Sequence, residues 1–253
     1  MILQNDSNMR FAVRLAYNGY NYSGWQSQDN ARTVQGEIEA ILFKKFRQKI
    51  SVLGCGRTDK GVHASDFVMH FDCDEDISDG FIYHFNKMLP KDISFYSINK
   101  VDKDFHARFD AISRSYVYKI NTIKNPFKPE LSYYFPMIEN VNFEAMQNAA
   151  NILLKYEEFF PFCKTNTDVK TMICHLSQSR WEKNKKTGEY FFHITSNRFL
   201  RGMVRLIVGM TINVGLGKMS LDELENALKM QKRLEMDWSV PAHGLYLNKI
   251  IYP

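Results

Sequence analysis

The chain has no Cys-x-x-Cys pair, no long apolar run and no recognised phosphate-binding glycine loop. Each absence excludes a class. Its four cysteines (Cys55, Cys73, Cys163, Cys174) stand far apart, with no histidine nearby at zinc-ligand spacing. Unpaired thiols in a reducing compartment, and no structural metal, are therefore expected. No apolar stretch approaches the roughly 20 residues that cross a bilayer, and the segment from Met1 to Met9 is polar where a signal peptide needs an apolar core. The expectation is a cytoplasmic protein without a membrane partner. Gly54-x-Gly56 lacks the third glycine of a dinucleotide fingerprint, and no Gly-Lys-Ser/Thr follows as in a Walker loop.

What remains is a chain of ordinary globular composition, 45% hydrophobic and 24% charged, which argues against extensive disorder. Its 253 residues suffice for one large domain or two of usual size. The formal charge of +5 is compatible with a polyanionic partner without establishing one, so the placement of the basic residues matters more than their sum.

Alternation of Phe11, Val13, Leu15 and Tyr17 predicts a first strand. A loop rich in aromatic and amide groups follows from Asn18 to Gln26. Thr33 is placed to cap a helix carrying Val34, Ile38, Ile41 and Leu42, with Lys44, Lys45 and Arg47 in its last turns, where cations suit the helix dipole. A short strand from Ile50 to Leu53, a glycine-rich loop and a strand from Asp66 to Phe71 come next. The acidic run from Asp72 to Asp79 reads as a solvated loop, Gly80 to Leu89 as a helix stopped by Pro90, and Ile93 to Val101 as a strand.

The second half repeats the order. A strand from Ser115 to Ile120 sets Tyr116, Tyr118 and Ile120 on one face, and Pro126, Pro129 and Pro136 punctuate a long connection. Asn142 caps a helix. Strands from about Met172 to Trp181 and from Tyr190 to Thr195 flank a turn at Asn184 to Gly188. A helix is expected from near Asn197, ended by Gly215 and Gly217. Ser220 with Glu223 forms a capping box for another helix, and Leu245 to Ile251 closes the chain as a strand. Two β-α-β-β-α-β units in tandem suggest an internal duplication with a boundary between Phe105 and Ile112. Two sheets with a cleft between them would let residues of both halves converge.

Three constellations carry candidate chemistry. In Gly54-Cys-Gly-Arg57-Thr58-Asp59-Lys60-Gly-Val-His63-Ala, glycines hold an arginine and a carboxylate close together. Asp59 is either a turn residue or a nucleophile, base or ligand. A partly buried Arg57 would keep it ionised, as a carboxylate nucleophile requires. Arg198, Arg201 and Arg205 recur at helical spacing, giving either a solvated basic face or phosphate contacts near a helix N-terminus. Arg205 has no carboxylate one turn away on its helix, and Asp59 is a candidate partner. Tyr116 and Tyr118, beside Arg108 and Arg114, are either core aromatics or a base-stacking surface. His63 and His106 are assigned to holding loop structure by hydrogen bonding.

The motifs together resemble the TruA family of tRNA pseudouridine synthases. The glycine-loop signature is joined by Tyr17-Asn-Gly-Tyr-Asn-Tyr-Ser-Gly24-Trp25-Gln26, Asp104-Phe-His-Ala-Arg108-Phe, Ser113-Arg-Ser-Tyr116-Val-Tyr118, Asn197-Arg-Phe-Leu-Arg-Gly-Met-Val-Arg205-Leu-Ile-Val-Gly209 and Pro241-Ala-His-Gly244-Leu-Tyr246-Leu. The resemblance implies an α+β fold of two tandem ferredoxin- or RNA-recognition-like βαββαβ domains, with mainly antiparallel sheets flanked by helices and a basic cleft. Residues 9–107 would carry the catalytic Asp loop, and residues 108–253 the base-stacking tyrosine and the arginine helix.

It implies further a cofactor-free and metal-free isomerase converting uridine to pseudouridine in the anticodon arm of tRNA (tRNA positions 38 to 40), acting as a homodimer. Asp59 would be the nucleophile, Tyr116 would stack on the flipped uracil, Arg205 would pair with the nucleophile and Arg57 would extract the base. Arg198, Arg201 and Lys60 are candidate tRNA contacts. Cys55, Lys60 and Arg201-Gly202 depart from the family pattern, and Lys60 beside the nucleophile bears on which uridine is favoured. The rival readings are a non-catalytic RNA-binding module on the same fold and, more remotely, a metal-dependent phosphotransfer enzyme using Asp59.

Overall fold

The computed structural model describes residues 8–77, 80–164 and 171–253. Most of the polar N-terminal segment, and Ser78 and Asp79 of the acidic run, lie outside the described residues. The protein is α+β, with mostly antiparallel strands flanked by helices. The chain divides into two compact units. The first is Met1–Ile112 with Leu247–Pro253, and the second is Ser113–Tyr246. Against the expected 9–107 and 108–253, the division falls a few residues later and the last residues return to the first unit.

In the first unit the order is β1 (Met9–Tyr17), α1 (Val34–Phe46), β2 (Leu53–Gly54), β3 (His63–Cys73), α2 (Phe81–Met88) and β4 (Ile93–Val101). The strands lie in the order β4-β1-β3, and β2 pairs antiparallel with β3 through Leu53–His70 and Gly54–Met69. β1 buries Phe11, Val13, Leu15 and Tyr17, and α1 returns Val34, Ile38, Ile41, Leu42 and Phe46 to that core. Thr33 caps α1 by accepting from the Gly36 N–H at 3.2 Å, as its sequence position predicts. Ring packing of Phe46, Phe81, Phe85 and Phe95 ties α2 to the sheet.

Two expectations change here. The strand read at Ile50 to Leu53 contracts to Leu53–Gly54, because Ile50 and Val52 are buried without joining the ladder while Leu53 is exposed. The acidic run does not begin in a loop. Asp72 lies inside β3, paired across to Arg10 of β1, which donates to both carboxylate oxygens at 2.7 and 2.8 Å and to the Phe105 carbonyl at 2.9 Å. That bidentate pair holds the Asp72 carboxyl below its usual range.

The segment from Asp104 to Asp110 covers part of the same unit. His70 of β3 is buried and accepts from the Ala107 N–H at 3.2 Å, while the Tyr252 hydroxyl donates to the Ala107 carbonyl at 2.6 Å. The His106 Nδ1 accepts from the Arg108 and Phe109 N–H groups, which is the loop-holding role expected of it.

The second unit comprises β5 (Ser113–Asn121), β6 (Tyr133–Tyr134), α3 (Phe143–Ile152), β7 (Leu176–Asn184), β8 (Glu189–Ser196), α4 (Met203–Gly215) and α5 (Leu221–Lys229). β9 (Leu245–Ile251) begins in this unit and ends in the first. Its strands run β5-β8-β7, antiparallel, with β6 parallel beside β5. β6 was hidden within the proline-rich connection, and β7 starts at Leu176 rather than Met172. α4 is buried along almost its whole length, and at Gly215 a Cβ would come within 2.5 Å of Met146 of α3, so that helix crossing requires glycine. The Ser220–Glu223 capping box is formed.

Candidate active site

Asp59 is half-buried on the loop between β2 and β3. Its neighbours fix the loop mainly through backbone. The Trp25 N–H donates to the Thr58 carbonyl at 3.2 Å, the Gly61 N–H to the Tyr22 carbonyl at 3.2 Å, and the Val62 N–H closes a turn onto the Asp59 carbonyl at 3.1 Å. The 18–26 loop lies so close that glycine is demanded twice. A Cβ on Gly24, whose φ is +98°, would stand 2.5 Å from the Thr58 carbonyl oxygen, and one on Gly19 would stand 1.9 Å from that of Val62.

Side chains lock the remainder. The Tyr17 and Thr58 hydroxyls share a buried hydrogen bond at 2.9 Å, and His63 Nδ1 accepts from the Gly19 N–H at 3.0 Å. His63 thus takes the structural role expected for it. Trp25 stacks on Phe67 at 4.0 Å between ring centroids, beneath Gly54, whose Cβ would strike both rings. The 18–32 segment is anchored in turn by the Tyr22 hydroxyl donating to Asp92 and by Arg32, which lies 4.5 Å over the Tyr22 ring and pairs with Glu37. Burial, first, and then Asp92 raise the Tyr22 pKa.

Arg57 does not sit as expected. It is exposed rather than partly buried, and among the described residues of this unit neither it nor Asp59 enters an ion pair. Lys60 is exposed at the turn that follows. The nucleophile candidate is therefore held by main-chain contacts to its loop, and Arg57 and Lys60 point basic groups to solvent beside it.

In the second unit the structure separates the two tyrosines. Tyr118 is fully buried and donates to the Pro241 carbonyl at 2.7 Å, with Gly244 packed so tightly on its ring that a Cβ would approach within 2.6 Å. Burial pushes its pKa up. Tyr116 is half-exposed, and its ring meets Phe199 edge-to-face at 5.1 Å. Tyr118 is core and Tyr116 is the tyrosine that solvent reaches.

Phe199 belongs to the 197–202 loop, and this corrects the arginine helix. α4 begins only at Met203, so Arg198 and Arg201 lie in the loop before it and only Arg205 is helical. The physical cause lies in contacts to residues distant in sequence. Asn197 spends its side chain accepting from the His175 N–H at 2.9 Å instead of capping a helix, its carbonyl accepts from Arg114 at 2.8 Å, and Gly202 at φ +73° turns the chain into α4. Arg205, in the first turn, donates through Nε to the Val240 carbonyl at 2.6 Å. The adjacent His243 has its pKa lowered by burial and then by Arg205. The 238–244 segment thus serves both Arg205 and Tyr118. Its conformation was not legible in the sequence, where the only signal was the Pro-Ala-His-Gly motif itself.

Among the described residues, no group of three or more His, Cys, Asp or Glu side chains stands together as a metal site requires, and no helix is long and apolar enough to cross a membrane. All four cysteines are buried, and among the described residues none forms a disulfide.

A family model described as tRNA pseudouridine synthase matches residues 154–253. The chain is 44% identical to the tRNA pseudouridine synthase A of Porphyromonas gingivalis over 247 residues, covering 96% of this chain and 97% of the relative. Identity to the protein of that name from Parabacteroides distasonis is 42%, covering 96% of each chain. Against the Bacillus subtilis protein it is 35%, covering 96% of this chain and 99% of the relative. The protein belongs to the tRNA pseudouridine synthase A family.

Proposed function

We propose that the protein isomerises uridine to pseudouridine in the anticodon stem-loop of tRNA, at tRNA positions 38 to 40, with Asp59 as nucleophile. The observation that carries the role of Asp59 is its loop, held by main-chain bonds and by glycines that admit no Cβ. A nucleophile must be held within a fraction of an ångström of its target, and backbone clamping does this without occupying the carboxylate.

The reaction balances within the substrate. Asp59 attacks the ribose or the base and the N1–C1′ glycosidic bond breaks. The uracil turns, C5 bonds to C1′ as the bond that Asp59 formed breaks and its carboxylate is released, and the C5 proton is lost as N1 gains one. No redox equivalent is consumed. A uridine in a helical arm must first leave its stack, at a cost of a few kcal/mol. Arg57 is assigned to drawing the base out, Tyr116 to stacking on it, and Arg205 to pairing with the nucleophile. Arg198, Arg201 and Lys60 are assigned to phosphates, and the exposure of Arg57, Lys60 and Arg201 supports these roles.

The same proposal carries two tandem ferredoxin-like domains flanking a basic cleft, a homodimer, and a cytoplasmic location. The β4-β1-β3-β2 strand arrangement and βαββαβ order of the first unit support the domain reading.

Asp59→Asn, with unmodified tRNA as substrate and carbodiimide mapping of pseudouridine, provides the test. Expected are modification by wild type at positions 38 to 40, and none by the variant, with tRNA binding retained in both. Activity in the variant would remove Asp59 as nucleophile. Binding without modification by wild type would leave an RNA-binding module.

A further inference from the structure

We infer that the second unit carries a nucleoside-binding pocket, lined by residues that none of the roles above uses. A cavity of about 470 Å³ opens beside the end of α4, within the range of roughly 300–1,000 Å³ common for small-molecule sites. Its walls are Phe135 and Trp238, 5.7 Å apart edge-to-face, with Met137 and Met236. Tyr133 stacks behind Phe135 at 5.4 Å, which stiffens that wall.

Asn213 also lines the cavity. It is only 3% exposed, and its Nδ2, closed off from solvent, has no hydrogen-bond partner, so the amide meets a ligand by turning toward the cavity. A buried amide without a partner costs about 1–3 kcal/mol, so a site that keeps one favours a ligand that satisfies it. An Asn carboxamide offers a donor and an acceptor side by side, and every nucleobase edge presents a complementary pair. Aromatic and thioether walls suit the flat faces of such a base. At the rim stand Glu235, Asp237 and Lys218. The carboxylates can accept from ribose hydroxyls, and Lys218 can meet one phosphate. Two acidic groups against one basic group disfavour a polyphosphate, which selects a nucleoside or a nucleoside monophosphate unit.

The ligand is thus a single nucleoside unit, either free or as an unstacked nucleotide of bound tRNA. The wall also reaches the machinery assigned above. Trp238 is packed on Gly209, where a Cβ would lie 1.8 Å from the Trp238 carbonyl oxygen, and Val240, two residues on, holds Arg205.

Tryptophan fluorescence tests this directly, because Trp25 and Trp181 are buried while Trp238 is half-exposed. The full chain is titrated with uridine, guanosine, cytidine and adenosine 5′-monophosphates to about 1 mM, and separately with tRNA. Saturable quenching by at least one monophosphate is expected. Asn213→Leu, which removes an amide that no protein group satisfies and should fold normally, is expected to weaken it about tenfold. Met137→Glu, a change at an exposed wall residue that adds a third carboxylate, should weaken it independently of the core.

Competition between monophosphate and tRNA, with tRNA affinity reduced in Asn213→Leu, identifies the occupant as a tRNA nucleotide. Binding unaffected by tRNA identifies a free nucleotide. No saturable quenching by any monophosphate, together with unchanged tRNA affinity in both variants, overturns the inference. Since binding is the readout, the result does not depend on whether Asp59 is the nucleophile.

Discussion

Replacing Gly24 by alanine tests whether the 18–26 loop sets the position of Asp59. The added Cβ would stand 2.5 Å from the Thr58 carbonyl oxygen, about 0.9 Å short of ordinary van der Waals contact, and within 3.3 Å of the Asp59 carbonyl carbon. Both partners are backbone, so neither can swing aside. The φ of +98° adds about 1–2 kcal/mol of strain for any residue with a Cβ. Parting the loops also breaks the Trp25–Thr58 hydrogen bond, worth about 0.5–1.5 kcal/mol.

The expected loss is therefore about 1.5–3.5 kcal/mol, or a fall in Tm of roughly 3–14 °C for a chain of this size. A displacement near 1 Å at a nucleophile costs about 100-fold in rate. Gly217→Ala is the control, since Gly217 has φ +70° but nothing within 4 Å of its Cβ position. It should lose about 1 kcal/mol and keep its activity. Single-turnover pseudouridine formation on unmodified tRNA, with melting curves for both variants, separates the two effects. Equal turnover in Gly24→Ala and Gly217→Ala would refute the reasoning.

The two tyrosines should respond oppositely. Tyr118→Phe leaves the Pro241 carbonyl without its donor and should cost about 1–3 kcal/mol in denaturant melts, while Tyr116→Ala, which removes the ring assigned to stacking on the uracil, should slow pseudouridine formation. Thr58→Val breaks the buried bond to Tyr17 and should lower both Tm and turnover, by about 1–3 kcal/mol in stability. Burial, then Arg10 and His106, lower the His70 pKa from 6.5 to about 4. The unfolded chain thus binds more protons between those values, so stability should rise with pH through that window and be lost as pH falls toward 4. His70→Asn, which keeps an acceptor for the Ala107 N–H, should flatten that slope in urea titrations between pH 4 and 6.5.

Much of the fold was legible because its signals are local. The Thr33 and Ser220 caps and the alternation in β1 depend on residues a few positions apart, and the elements formed where the pattern placed them. The helix expected from Asn197 failed for the converse reason. Asn197 is a good cap by type, but its side chain bonds the main chain at His175, far away in sequence, and α4 waits for Gly202. Asp72 likewise looked solvated because its partner, Arg10, lies on another strand.

By sequence alone the chain determined its order of strands and helices apart from β6, its caps at Thr33, Asn142 and Ser220, and the residue types of the Asp59 loop, since each follows from spacing and side-chain chemistry. Its motifs also determined the family. Only the tertiary structure decided that Tyr118 is core while Tyr116 meets solvent, that Arg57 is exposed, and that Arg198 and Arg201 lie off the helix. It alone revealed the unpartnered amide of Asn213 beside an aromatic cavity. The reason is physical. Periodicity tells which way a side chain faces within its own element, but its burial and its partners depend on what the rest of the chain packs against it.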